Sequence, residues 1–362
     1  MIERYLFLAF ISSIVLLSFS CESDPSSPQE EIIPELSVRG LLIANEGNFL
    51  QGNASLSYYD FEEGTIYNDV FKNVNGEPIG DVANSIYISD TLAYIVVNNS
   101  DKIEVVSTHD FRRVRKINLP PGSSPRHIAI SANGQLYVTN LYTDNVSVIN
   151  PEDGSILLDI PVGVNPDGIL IAHSFAYVAN SGLGNGNTVS IIDLARNQVI
   201  KSIKVGDNPQ WIELSSDDQV HVLCSGAYND FFDPDDDSAG GVWIINPESK
   251  IVIDSLILDM GTHPSKLTLS ADSKGYFIYA GNILEYDTHK LHVLNKAFIQ
   301  ANSGNLYHIK INDLSEEIYV CDAKDYVTAG ELIIYDLQGN EKQRQTAGII
   351  PGYVSYIVSK KE

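Results

Sequence analysis

SPRHIAISANGQLYVTNLYTDNVSVINPEDGSILLDIPVG, residues 124–163, is the stretch on which the fold turns. Its four short runs, PRHIAIS, LYVTN, NVSVIN and ILLDIP, are rich in β-branched and aromatic residues. Gly, Pro, Asn, Asp and Ser separate them, the pattern of four strands joined by tight turns. The phrase then returns. NPDGILIA, FAYVAN and NTVSIIDLARNQVIKSIKVG occupy residues 165–206, and NPQWIELS, DQVHVLC and GGVWIINPESKIVIDSLILDMG fall within 208–261. The proline that opens a unit stands at 125, 166, 209 and 264, at spacings of 41, 43 and 55 residues.

Weaker copies extend the series in both directions. DVANSIYIS with LAYIVVN, and GLLIANEG with ASLSYYDFEEGTIYN, lie upstream; HPSKLTLS with GYFIYAG, NLYHIKI with EEIYVCD, and a final GYVSYIV lie downstream. A four-stranded unit repeated at this period cannot bury its faces alone and stacks into a β-propeller. Seven units follow, at 38–80, 81–122, 123–163, 164–206, 207–261, 262–303 and 304–350. The expected fold is therefore an all-β, seven-bladed propeller with four antiparallel strands per blade, spanning 38–362. Leu41 to Asn45 reads as a second strand without a first, and Tyr353 to Val358 as a first strand without a second. Pairing the two would close the ring and leave no open sheet edge.

LYVTN, AYVAN, the following VSVI and the GxxP turn between units resemble the YVTN-type, YncE-like seven-bladed propeller family over residues 38–358. The likeness departs in blades 1, 6 and 7, where the proline is lost or the second strand becomes FIYAG or IYVCD.

Ahead of the repeats, residues 5–20 are apolar and uncharged and stop at Cys21. The run is short for a membrane span and suits an export signal. It resembles a bacterial lipoprotein signal peptide over 1–20, with Cys21 as the lipidated residue. A secretory signal cleaved beyond Cys21 and an uncleaved anchor are the other readings. ESDPSSPQEEIIPE, within 21–37, has too little apolar surface to offset its ordering entropy and reads as a flexible tether. Placement on the outer membrane at the cell surface, as in Bacteroidota lipoproteins, is what this resemblance implies.

In an antiparallel blade, the loop from strand two to three and the linker from strand four to the next blade emerge at one end. This GxxP end receives the longest insertion, SGAYNDFFDPDDDSAGG at 225–241. It carries Tyr228, Phe231 and Phe232 among Asp230, Asp233, Asp235, Asp236 and Asp237. Asp233, Asp235 and Asp237 alternate as in a calcium loop, without the glycine and glutamate that complete one. Counting from each GxxP turn points Asp81, Asn84, Arg126, His127, Asp167, Gln210, Trp211, Lys266, Tyr307, His308 and Tyr353 toward a central funnel. The candidate ligand-binding set is Asp81, Arg126, Asp167, Trp211, Tyr228, Asp230, Phe232, Tyr307 and Tyr326, which combines rigid aromatic area with hydrogen-bonding groups.

Among 362 residues, 47 are acidic and 23 basic, a formal net charge of −24. That field repels a phosphate backbone and excludes nucleic acid as the natural partner. No HExxH, GxSxG, phosphate-cradling or dinucleotide-binding glycine motif occurs. The eight histidines are spread over many blades, and Cys224 and Cys321 fall in non-adjacent second strands as apolar-like thiols. A binding protein without enzymatic activity is expected. Propeller architecture, lipidation and acidity together are similar to the cobalamin-binding propellers of gut Bacteroidota. That likeness implies capture of a corrinoid such as vitamin B12 for an outer-membrane transporter. The alternative is a glycan-binding or adhesive surface propeller.

Overall fold

The computed structural model describes residues 36–228, 237–301 and 304–360. The leader, most of the tether, Cys21, Asp230 and Phe232 lie outside the described residues. The described chain forms seven four-stranded antiparallel sheets. Blade 3 shows the pattern, with strands Pro125–Ile130, Leu136–Asn140, Asn145–Ile149 and Ile156–Pro161 in sequential order. Blades 2 and 4 to 7 repeat it. Blade 1 takes its first strand from Pro351–Lys360, which pairs antiparallel with Leu36–Asn45, Tyr353 opposite Ala44 and Val358 opposite Val38. The ring closes as the repeat register requires. A short helix, Val70–Asn75, follows the three-residue fourth strand of blade 1, and its Val70 and Phe71 are buried.

Burial follows strand position. Second strands such as Leu136–Asn140 and Val220–Cys224 are buried along their whole length, because both faces meet a neighbouring blade. Fourth strands such as Gln198–Lys204 are mostly exposed at the rim. Tyr137, Tyr177 and Tyr319 of the second strands are fully buried. Their hydroxyls find polar partners, Tyr137 donating to Asn197 Oδ1 at 2.6 Å and Tyr177 to the Pro247 carbonyl at 3.4 Å. Each of these two bonds ties a blade to the outer turn of the next. Cys224 and Cys321 are buried thiols, and burial pushes both pKa values up.

The asparagine that ends the repeat phrase is a staple. Asn180 Nδ2 donates to Thr188 Oγ1 and Ser190 Oγ at 3.0 Å each, and its Oδ1 accepts the Gly163 backbone N–H at 3.1 Å. Asn45 repeats this with Ser55, Ser57 and the Gly348 N–H. One side chain thus joins the second strand, the third strand and the incoming linker, all at the GxxP end.

Candidate functional site

In every blade, the ladder between first and second strands slips directly after its opening pair. The residues left out of register are Asn84, Arg126 with His127, Asp167 with Gly168, Gln210, Lys266 with Leu267, Tyr307, and Gly352. A β-bulge re-aims a side chain out of the regular pleat. Seven bulges on seven axis-lining strands thus turn a set of polar side chains to the mouth of the central channel. The residue that enters the first strand is left-handed in six blades, at Val82, Ser124, Asn165, Asn208, His263 and Ile350. Five of their carbonyls accept an N–H from the residue after the second strand, as Ile350 does from Glu46 at 2.8 Å.

Arg126 is the polar hub. Its Nε and Nη2 donate to the two carboxylate oxygens of Asp167 at 3.1 and 3.2 Å, and its Nη1 donates to Asn84 Oδ1 at 2.9 Å. Asn84 Nδ2 and Ser85 Oγ return bonds to the Arg126 carbonyl at 2.9 and 2.8 Å. Three consecutive blades meet in this network. Burial raises the Asp167 pKa, but the Arg126 guanidinium and a bond from His127 outweigh it and hold the carboxyl well below its usual range. Burial also pushes His127 down, against the pull of Asp167.

Beside the hub lies an aromatic wall. Trp211 meets His127 edge-on at 5.1 Å between centroids, His308 at 5.7 Å and Tyr353 at 5.8 Å, and Tyr353 meets His308 at 5.0 Å. His308 is 1% exposed, with neither ring nitrogen hydrogen-bonded among the described residues, and burial drives its pKa far below the ordinary value. Lys266 Nζ lies over the rings of Trp211 at 4.8 Å and Tyr307 at 5.4 Å. The Tyr307 hydroxyl donates to Glu46 Oε2 at 3.1 Å, and its ring meets Tyr326 edge-on at 5.7 Å. Burial raises the Glu46 pKa, opposed by the charges of Lys266 and Arg126 and by the Tyr307 hydroxyl.

Arg126, Asp167, Trp211, Tyr307 and Tyr326, all expected from the sequence, therefore converge. Trp211 is nearly buried and contributes floor rather than open stacking area. Asp81 does not join them: its carboxylate accepts from Asn99 Nδ2 at 3.0 Å and its N–H donates to Ser100 Oγ. Asn84 takes the funnel position in blade 2. Tyr228 stands apart, stacked on His263 at 3.7 Å and 19°, while His263 bonds Asp237 at 2.9 Å. That pairing commits Asp237, the one member of the calcium-like triplet within the described residues. The histidines are less dispersed than their numbering implies, since His127 and His308 meet the same tryptophan. Glu46 is the member that repeat counting missed; its signal is a charge immediately after the second strand, where Leu141, Ser181 and Ser225 are neutral.

Around the funnel, the loop tips of five blades expose large apolar side chains, Phe49 and Leu50, Tyr142, Leu183, Tyr228, and Tyr326. Leu50, Leu183 and Tyr326 are held at φ 65°, 51° and 62°, a conformation that L residues adopt at a cost. The GxxP end thus combines a charged, aromatic funnel with an apolar rim, a form suited to noncovalent binding.

Comparison with solved structures shows the same fold at low identity. A quinonprotein alcohol dehydrogenase-like protein from Bacteroides thetaiotaomicron VPI-5482 is 15% identical with a TM-score of 0.66, the alignment covering 88% of this chain and 78% of that one. Hydrazine synthase from Kuenenia stuttgartiensis is 18% identical with a TM-score of 0.63 over 76% and 95%. Virginiamycin B lyase from Staphylococcus aureus, solved as an inactive variant with quinupristin, is 16% identical with a TM-score of 0.59 over 79% and 96%. No curated protein matches the sequence. The family model described as a domain of unknown function, DUF5074, matches residues 39–227, from blade 1 into blade 5. The match spans more than half of the sequence, and the chain belongs to the DUF5074 family.

Proposed function

We propose that this propeller captures a small polar ligand on its GxxP end without converting it chemically, and that the ligand is a corrinoid such as vitamin B12. The observation that carries the reading is the apolar rim around the charged funnel, with Phe49, Tyr142, Tyr228 and Tyr326 exposed on the same end as Arg126, Asp167, Lys266 and Glu46. A corrinoid is a broad amphipathic ring edged with amides. Its faces suit aromatic and aliphatic side chains, and its amides suit the carboxylates and the arginine network. Lipidation at Cys21 would tether the domain to the outer membrane, where an open face could hand its ligand to a transporter. Among the described residues, no helix is long and apolar enough to cross a membrane. The alternative, a glycan-binding surface propeller, draws on the same aromatic and carboxylate groups.

Calorimetry of the lipid-free domain with cyanocobalamin, cobinamide and a panel of neutral glycans separates the two. A corrinoid should bind with Kd below about 1 μM, or roughly 8 kcal/mol, and Phe49→Ala with Tyr326→Ala should weaken it. Silence with both corrinoids and heat with a glycan would replace the first reading by the second. Cys21→Ser should release the protein from the membrane fraction; unchanged fractionation would remove the lipid anchor from the proposal.

A further inference from the structure

Two cations face the funnel, and only one of them is committed. Arg126 spends its guanidinium on Asp167 and Asn84. Lys266 Nζ, among the described residues, has neither a hydrogen bond nor an ion pair; its contacts are the faces of Trp211 and Tyr307. The lysine is nevertheless held in place. It lies in the bulge between Ser265 and Thr268, and its backbone is left-handed at φ 58°. Fixing a lysine costs rotamer freedom, so a half-buried lysine held on two rings, with no counter-ion among the described residues, is organised to receive one.

The surroundings fix the chemistry of that partner. Glu46 is the leading opposite charge acting on Lys266, yet the two form no ion pair within 4 Å; Glu46 accepts instead from the Tyr307 hydroxyl. The ammonium stays within the half-buried funnel wall, over the faces of Trp211 and Tyr307.

We propose that Lys266 anchors an anionic group, a carboxylate, sulfonate or phosphate ester, carried by the molecule that the funnel takes up, with Tyr307 receiving the carbon skeleton beside it above the Trp211 floor. This deepens the capture reading and rests on it. The ammonium exchanges water for a charge-assisted hydrogen bond, and the rings that flank it favour a ligand whose charge is attached directly to an apolar body. A bare inorganic anion would leave the walls unused.

Benzenesulfonate, charged at every working pH, and neutral benzenesulfonamide are matched probes. Titrated into the lipid-free domain, the sulfonate should bind at least about tenfold more tightly than the sulfonamide. Lys266→Met, which keeps the stem and removes the charge, should abolish that preference. Lys266→Arg, which keeps the charge, should retain most of it. Calorimetric melting of each variant separates loss of the anchor from loss of the fold. Equal binding of the two probes to the wild-type protein, or an undiminished preference in a folded Lys266→Met variant, would overturn the proposal. Cyanocobalamin, which carries a phosphodiester, and cobinamide, which lacks it, divide this idea from the reading beneath it. Equal binding of both corrinoids to wild type and Lys266→Met sinks the anchor and leaves capture standing. Silence with both, alongside a sulfonate preference that depends on Lys266, supports the anchor and removes the corrinoid.

Discussion

The Gly163 N–H that Asn180 Oδ1 accepts at 3.1 Å has no counterpart one blade earlier, where the equivalent linker residue is Pro120. Leu119 and Val162 occupy matching places, bonding to the carbonyls of Asp101 and Asp144. Asn140 still donates to Ser147 and Asn145, but its buried Oδ1 is left without a donor. The repeat has therefore kept a staple in blade 3 that holds on one side only.

Asn180→Ala should accordingly cost more than Asn140→Ala, by about 1 kcal/mol, since it alone strands a linker N–H. Denaturant unfolding of the two variants measures the difference. Gly163→Ala should be at least as damaging, because a Cβ there would meet Asn180 Cγ at 2.5 Å. Equal losses for the two asparagines would mean that the linker bond contributes nothing.

Ile350 enters the closing strand at φ 51°, where a β-branched side chain is strained and the equivalent residues in blades 4 and 5 are Asn165 and Asn208. Ile350→Asn should relieve about 1 kcal/mol and raise Tm by roughly 2 °C. A lowered Tm would show that packing of the isoleucine outweighs its backbone.

Acid should unfold the protein through its buried imidazoles. Burial pushes His221 down to about 4, and His127 and His308 shift in the same direction. The unfolded chain protonates histidine near pH 6.5 while the folded chain resists. Stability is therefore full above about 6.5 and lost as pH falls toward 4. For His221, 0% exposed, the loss is on the order of 3 kcal/mol. Glu46, whose pKa is raised, acts with the opposite sign and offsets part of this. Melting temperatures from pH 8 to 4 should trace the limb, and His221→Gln should flatten it; a flat wild-type profile would contradict the assignment.

Deleting residues 353–362 should expose the edge of Leu36–Asn45 along with the apolar faces of blades 1 and 7, costing several kcal/mol. Aggregation and a lowered melting transition are the expected readouts. An unchanged Tm would show that the closing strand is dispensable.

The blades and their closure were legible because strand alternation, turn residues and the recurring Pro and Asn all report local geometry, which the repeat then multiplies. Arg126, Asp167, Trp211 and Tyr307 were legible for the same reason, lying at a fixed offset from a unit's start. Glu46 was not: it meets Tyr307 across 261 positions, where the first and last blades join. Asp81 misled because blade 2 lacks the opening proline, so counting along the linker offered both Asp81 and Asn84, and the candidate set kept the carboxylate rather than the amide that reaches Arg126. Nor does anything in the repeat say that Tyr228 would settle on His263 rather than over the funnel.

Tyr353 sits in the strand that closes the ring, and it is also the residue that touches His127, Trp211 and His308 together. Synthesis therefore sets an order on assembly. A nascent polypeptide that has emerged as far as Ile349 holds the strands of blades 2 to 7 but no complete aromatic wall, and the open edge of Leu36–Asn45 waits for a partner more than three hundred residues behind it. On the proposed capture reading, the binding wall is completed only with the carboxyl-terminal strand, so a truncated or stalled product should be inert at the funnel, and occupancy of that funnel would double as a readout of chain completion.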